Sequence, residues 1–258
     1  MSRATRVATA ITFASIGLTT LTLVLAGPAS AAEGDNSSIS INLPGLTGQG
    51  GPSSAIVLLI GLTLLGVAPA LLLMTTSFTK IIVVLSLTRN ALGLQGVPPN
   101  QVLAGLALFL SLFVMGPVLS AINTTALQPY LNGNMSFSQA FETGTVPLEK
   151  FMLANTRPEE LALMVKVSNE PSPATPEDVS LTTLIPAFIL SELRAAFIIG
   201  FVIFVPFLII DMVVSAGLMS VGMMMLPPVL VSLPFKLLLF VLVNGWALII
   251  SALVKSYA

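Results

Sequence analysis

The chain has 258 residues, of which 55% are hydrophobic and only 8% are charged, with a net charge of −1 and a mean hydropathy of +0.99. A soluble domain carries about a quarter charged residues, so a fold this apolar must turn its surface toward lipid or other apolar protein. The charge balance offers no basic face for nucleic acid, and the absence of cysteine and histidine excludes disulfides, cysteine nucleophiles, imidazole bases and Cys/His zinc sites.

Residues 1–31 have the pattern of a secretory signal peptide. Arg3 and Arg6 form a short basic region before an apolar run, and a small-x-small pattern ends at Ala31. We therefore expect cleavage after Ala31; the alternative is an uncleaved anchor, because the apolar run is longer than is typical. Residues 32–53 are rich in Gly, Ser, Asn and Pro, a composition that predicts a flexible linker.

Four later segments are apolar and long enough to cross about 30 Å of hydrocarbon as helices. They cover approximately residues 54–77, 101–122, 184–214 and 229–254. The basic residues Lys80 and Arg89 lie between the first two segments and indicate that this connection is cytoplasmic. The predicted fold is an all-α membrane protein with two kinked helical hairpins, or about four apolar helices, in a domain that spans residues 54–258.

The connection at about residues 123–183 is then periplasmic, and it is the one obvious aqueous segment. Between Asn123 and Thr182 lie seven acidic and three basic residues. A proline followed by two glutamates, directly after Arg157, is typical of a first helical turn. We expect a partly helical segment, with helices at Phe137–Glu142, at Pro147–Ala154 and from Arg157 onward, and a loop at 170–178.

A methionine-rich run occupies residues 217–228 and contains four of the eleven methionines within seven residues. Two consecutive prolines cannot continue a regular helix, and glycines permit a bend. We therefore expect a turn at the cytoplasmic end of a hairpin, with Gly217, Gly222, Pro227 and Pro228 as its hinge or turn residues. Methionine is flexible and polarisable, so copies of this turn around an axis would form a deformable constriction that excludes water. The alternative is an ordinary hairpin tip buried against its neighbours.

Five charged residues occur in apolar surroundings: Lys80, Glu192, Arg194, Asp211 and Lys236. A charge at the centre of a bilayer costs about 2.5–3.5 kcal/mol, so these residues are expected to pair or to face water. Glu192 and Arg194 are two positions apart and point to different sides of a helix, so each needs another partner. We expect Glu192 or Asp211 to pair with Lys236 or Lys80, within or between subunits. Two roles stay open for such pairs, the orientation of helices and the movement of protons or ions.

Besides the methionine-rich run and the five charges, prolines lie in or at the ends of the apolar segments. Each removes a backbone hydrogen bond, so kinked helices that line a cavity are one expectation. The other is simple tolerance, because proline is commoner in membrane helices than in soluble ones. The prolines concerned are Pro69, Pro117, Pro186, Pro206 and Pro234.

Enzyme classes are excluded by what the sequence lacks. An intramembrane serine protease would need a histidine, which the sequence lacks. An aspartyl intramembrane protease would need two aspartates in apolar segments, and Asp211 is the one aspartate found there. A phosphate-binding loop of the GxxxxGK[ST] type does not occur. We predict no catalytic residues, no cofactor and no metal site.

Several long motifs occur together in this chain. They are Met74–Ile81 (MTTSFTKI), Leu87–Gly93 (LTRNALG), Pro98–Leu103 (PPNQVL), Ala104–Leu110 (AGLALFL), Ile185–Phe188 with Ser191–Leu193, Pro206–Asp211 (PFLIID), and Gly222–Pro228 (GMMMLPP) with Leu233–Lys236 (LPFK). Residues 54–257 thereby closely resemble the FliP/SctR family of flagellar type III protein-export gates, which has counterparts in virulence type III secretion systems. The Gly- and Ser-rich residues 32–53 depart from the pattern of this family.

The resemblance implies a structural pore subunit that does no chemistry. Such proteins assemble in several copies with FliQ-like and FliR-like subunits into a closed, ring-like or helical pore complex. It lies in the bacterial inner membrane at the flagellar basal body, passes unfolded flagellar proteins, and draws energy from the proton motive force and partner ATPase components. The methionine-rich loop forms a gasket around the pore, to which Met223, Met224 and Met225 correspond here, and the periplasmic segment helps close the far end.

Two other functions compete with this one. One is a small-solute or ion transporter that uses intramembrane charges as its binding site. The other is a passive assembly scaffold for FliR-type partners. A transporter normally offers a polar site at the membrane midplane, whereas this chain offers a methionine cluster at a hairpin tip.

Overall fold

The structure, a computed structural model, describes residues 54–168, 173, 175–223 and 225–257. In those ranges every regular element is a helix and no strand occurs, so the all-helical part of the predicted fold class is confirmed. The expected cleavage after Ala31 and the linker 32–53 lie outside the described residues. The α-helices are α1 (Ser54–Met74), α2 (Phe78–Ala91), α3 (Asn100–Val114), α4 (Gly116–Ile122), α5 (Gln128–Leu131), α6 (Phe137–Asn155), α7 (Pro158–Ser168), α8 (Leu181–Ser220), α9 (Pro228–Leu242) and α10 (Gly245–Lys255).

Two short helical turns of other types complete the element order. A π-helical turn, Asn123–Leu127, continues α4 into α5, and a 3-10 turn, Pro176–Asp178, precedes α8. The helices expected at Phe137–Glu142 and Pro147–Ala154 are one helix, α6, which runs through Pro147. A capping box fixes its start, because the side chains of Ser136 and Gln139 bond each other's backbone N–H groups.

Two of the predicted apolar segments are broken in the middle. The helices from Asn100 to Leu131 bend by 58° at Met115, and α9 and α10 bend by 61° where Asn244 adopts a left-handed conformation (φ 51°). Asparagine is among the residues that tolerate this conformation best. Pro117 lies in the first turn of α4, directly after one break. The other four prolines lie inside helices that continue through them, namely Pro69, Pro186, Pro206 and Pro234.

One described helix, α8, is long and apolar enough to cross a bilayer by itself. The number rises to four if each of three bent helix pairs counts as one span: α1 with α2, α3 with the helices up to Leu131, and α9 with α10. The stretch that contains Lys80 and Arg89 between the first two apolar segments forms the helix α2. Lys80 lies in its first turn and is 3% exposed, in the apolar surroundings expected for it, because α2 packs along α8.

The main core forms where α2, α3, α8, α9 and α10 meet. Its buried side chains include Ile81, Leu85, Leu103, Phe207 and Leu253. A second, smaller cluster joins α6 to α8 through Met152, Leu184 and Phe188. The two clusters position both ends of α8, the helix that carries Glu192, Arg194 and Asp211.

Candidate functional site

The methionine-rich run, residues 217–228, contains the last turn of α8 and the methionine turn that connects α8 to α9. Gly217, expected in the turn, lies inside α8 because the helix continues to Ser220. The N–H of Met223 donates to the carbonyl of Leu218, and the N–H of Gly222 donates to that of Met219, both at 3.0 Å. Gly222 has φ +79°, in the left-handed region that favours glycine. This is the Schellman pattern of helix termination, so Gly222 ends α8, and Pro227 and Pro228 start α9.

Two methionine side chains of this turn are exposed. Met225 is 99% exposed and Met223 is 45% exposed, while Met224 lies outside the described residues. Flexible thioethers therefore stand at the tip of a well-defined turn. A tip buried against the rest of the same chain, one form of the alternative above, does not fit this exposure.

The structure brings Lys80 and Glu192 together in the interior. Lys80 Nζ lies 3.1 Å from Glu192 Oε1, and both side chains are at most 4% exposed. The hydroxyl of Tyr257 donates a short hydrogen bond to the other carboxylate oxygen, Oε2. The Lys80 ammonium also lies 3.6 Å from the centroid of the Tyr257 ring, so both charges are compensated inside one chain.

Asp211 and Lys236 form the second buried pair, between α8 and α9. Lys236 Nζ lies 2.6 Å from Asp211 Oδ2, and the Ser232 hydroxyl donates to Oδ1 at 2.5 Å. Lys236 is 2% exposed, whereas the Asp211 side chain is 29% exposed. Lys236 also lies 3.4 Å from the carbonyl of Ala91 at the end of α2.

Arg194 differs from the other four charges, because its side chain is 49% exposed rather than enclosed by apolar residues. Its Nη1 contacts Glu159 at 2.5 Å and Glu160 at 2.7 Å, both at the start of α7. The hydrogen bond from Arg194 lowers the pKa of the Glu160 carboxyl. This cluster fastens α7 to α8, which explains why a residue two positions from Glu192 needs its own partners.

Sequence reasoning missed two of the side chains that complete these clusters, because Tyr257 and Ser232 carry no periodic or motif signal of their own. It also missed the partners of Arg89, although both the charge pattern and the LTRNALG motif include this residue. Arg89 Nη1 donates to the carbonyl of Pro98 at 3.0 Å and to Asn100 Oδ1 at 2.7 Å. It thereby closes the loop between α2 and α3.

Among the residues that the structure describes, no three His, Cys, Asp or Glu side chains lie close enough together to hold a metal ion. The acidic residues of the clusters above are instead engaged by Lys80, Lys236 and Arg194.

Comparison with known proteins assigns the family. A family model described as the FliP family matches residues 61–253. The chain belongs to the FliP family. The flagellar biosynthetic protein FliP of Bacillus subtilis is 52% identical over 205 residues, which cover 80% of this chain and 93% of that protein. FliP of Pectobacterium carotovorum is 50% identical over 229 residues (85% and 88%), and FliP of Caulobacter vibrioides is 47% identical over 228 residues (88% and 85%).

The FliP family match includes most of the candidate site. The methionine turn, the Lys80–Glu192 pair and the Asp211–Lys236 pair all lie within residues 61–253. Tyr257, which completes the first of these pairs, lies beyond the matched range.

Proposed function

We propose that this FliP family member is a structural pore subunit of the flagellar type III export gate, needed for flagellum biogenesis. Its relatives are named flagellar biosynthetic proteins, and we extend that role to this chain. The proposed pore passes unfolded flagellar proteins and stays sealed at rest. The subunit itself performs no reaction.

The exposure of the methionine turn is the observation that carries the proposal. A Schellman stop at Gly222 fixes where the turn begins, while Met225 stands 99% exposed at its tip. Side chains that are free to change rotamer on a fixed backbone suit a seal, because methionine adapts to irregular shapes. Several such tips around an axis would exclude water and ions at rest and give way to an unfolded chain.

An apolar ridge on α8 supports assembly into several copies. Successive residues four positions apart are exposed in the single chain, and helical periodicity puts residues at this spacing on one face. A continuous apolar face of this kind calls for lipid or protein cover. The ridge residues are Phe197, Phe201, Val205, Ile209 and Val213, which are 59%, 70%, 38%, 54% and 67% exposed. We propose that copies of this chain, FliQ-like and FliR-like subunits, and membrane lipid cover such faces.

The placement in the cell follows from the same proposal. Residues 1–31 would act as a signal peptide, residues 32–53 as a linker and residues 54–258 as the export-gate domain. The domain would lie in the bacterial inner membrane at the flagellar basal body, with residues 123–183 on the periplasmic side. The intrachain pairing of Lys80 with Glu192 and of Lys236 with Asp211 favours an orienting role for these charges over a transport role.

The test replaces Met223, Met224 and Met225 together by alanine in the full export apparatus. We expect ion leak and slowed growth while the complex still assembles, because the thioethers would be lost and the backbone turn kept. A matched control is Met212→Ala, since Met212 is also exposed (63%) but lies on α8. Normal membrane tightness together with normal secretion in the triple variant would overturn the seal. Loss of assembly would instead favour a scaffold, and altered uptake of a small ion or solute without a secretion defect would favour a transporter.

A further inference from the structure

Tyr257 lies just beyond α10, and its side chain contacts three different helices. Its hydroxyl donates to Glu192 on α8, and its ring lies 3.6 Å from the Lys80 ammonium on α2. Its third partner is Phe151 on α6, whose ring stacks on that of Tyr257 with centroids 5.9 Å apart and planes inclined by 19°. One side chain thus joins a buried ion pair to the segment between α5 and α8.

Each contact uses a different property of tyrosine. The phenol supplies a donor for a carboxylate oxygen that Lys80 does not engage, and the ring face attracts the ammonium. Burial raises the pKa of the Tyr257 hydroxyl, and the Glu192 carboxylate raises it further, so the phenol stays protonated as a donor. The same ring stacks on the ring of Phe151. Phenylalanine would keep the second and third contacts, and leucine would keep none of them.

The remaining contacts of α6 with α8 are mostly apolar or local. Met152 packs with Leu184 and Phe188, and the Ser191 hydroxyl donates to the carbonyl of Asn155, the last residue of α6, at 3.1 Å. A cavity of about 440 Å³ adjoins this joint and is lined by Lys80, Glu192 and Ser256, with residues 154–158 of the α6–α7 connection.

We propose that Tyr257 is a latch that holds α6 against the Lys80–Glu192 pair, so that docking of α6 depends on a side chain two positions beyond the end of α10. The latch couples two parts of the chain that are distant in sequence. It concerns the docking of α6 and does not require the pore function.

The experiment measures hydrogen exchange of the full chain in detergent, peptide by peptide, for Tyr257→Phe and Tyr257→Leu. We expect exchange in α6 to rise on the order of tenfold or more in Tyr257→Leu and less in Tyr257→Phe, because the ring contacts survive in the latter. Peptides of α3 and α9 are expected to keep their protection. Tyr130, which is 41% exposed and meets Phe137 edge-on at 6.1 Å, provides the matched controls Tyr130→Phe and Tyr130→Leu.

A double-variant cycle separates a latch from general packing. Tyr257→Leu and Phe151→Leu are expected to be non-additive in the exchange of α6, because each removes the same joint. Additive effects would overturn the proposal. Unchanged exchange of α6 in Tyr257→Leu would also overturn it, as would an equal loss of protection in all helices of Tyr257→Phe.

Discussion

Asp211 Oδ2 lies 2.6 Å from Lys236 Nζ, and the two members of this pair differ in exposure. The Lys236 side chain is 3% exposed and the Asp211 side chain 29%. Ser232 gives Asp211 a further donor, whereas in the described part of the chain the further partner of Lys236 is the carbonyl of Ala91 at 3.4 Å. The pair ties α8 to α9, and its asymmetry has a measurable consequence.

We expect Asp211→Asn to destabilise the protein more than Lys236→Met. The first variant leaves a buried ammonium without its counter-ion, and breaking a buried pair in this way costs about 3–5 kcal/mol. The second leaves a carboxylate that keeps Ser232 and partial access to water. Thermal unfolding in detergent and accumulation in the membrane are the measurements. Equal losses in the two variants would contradict the asymmetry.

The charge-swapped protein Asp211→Lys with Lys236→Asp tests pairing itself. We expect it to recover part of the stability that each single reversal loses, because opposite charges again face each other. Failure to rescue either single variant would count against direct pairing as the role of these residues.

At Gly200, α8 lies close against Leu87 of α2. A Cβ built at this position would lie 2.3 Å from Leu87 Cδ1 and 3.1 Å from Leu87 Cβ. We expect Gly200→Ala to cost about 1–3 kcal/mol, since the helices would have to separate. Gly217→Ala on the same helix is the control, because nothing lies within 4 Å of its added Cβ. A similar midpoint of unfolding for both variants would show that the crossing adapts freely.

Gly245, at the bend between α9 and α10, also leaves no room for a Cβ atom. An added Cβ would lie 2.2 Å from the Phe240 ring, and this ring is held edge-on by Trp246 at 5.3 Å. We expect Gly245→Ala to destabilise by about 1–3 kcal/mol, and Phe240→Leu to restore part of that loss in the double variant. Additive destabilisation in unfolding measurements would mean that the ring is not the obstacle.

The bend at Gly245 also shows how far the sequence could predict this fold. Asn244-Gly245 is a common turn dipeptide, and Gly116-Pro117 another, so both breaks had a local signal inside segments that hydropathy alone treats as continuous. Helical content and the end of α8 at the methionine turn follow from hydropathy, glycine and proline. Residue spacing could show that Glu192 and Arg194 need separate partners. It could not select them, because Lys80, Glu159 and Glu160 reach these positions only through packing of α2 and α7 on α8.

Tyr257 and Ser232 illustrate the remaining limit. Each donates to the carboxylate of an ion pair, yet neither stands out by composition, spacing or charge. The sequence could not predict the exposure of Met225 either, since an apolar hairpin tip can be buried or exposed to solvent. These partners are determined by tertiary packing, which brings together residues that are distant in sequence.

The cluster of Glu160 with Arg194 predicts an acid-sensitive contact between α7 and α8. The hydrogen bond from Arg194 holds the pKa of Glu160 below its ordinary value of 4.5. A carboxyl whose folded-state pKa is depressed adds stability above its unfolded pKa, and this contribution disappears as the pH falls through the folded-state pKa. We therefore expect Glu160→Gln to be less stable than the unsubstituted protein at neutral pH, with the two converging in acid below about pH 4.

Thermal unfolding in detergent from pH 3 to pH 7 provides the measurement. Glu142→Gln is the control, because Glu142 lies on the exposed side of α6, and its curve is expected to run parallel to that of the unsubstituted protein. Since Arg194 keeps Glu159 in every variant, the difference between the Glu160→Gln and unsubstituted curves isolates one carboxyl. A difference that stays constant down to pH 3 would show that the ionised form of Glu160 does not fasten α7 to α8.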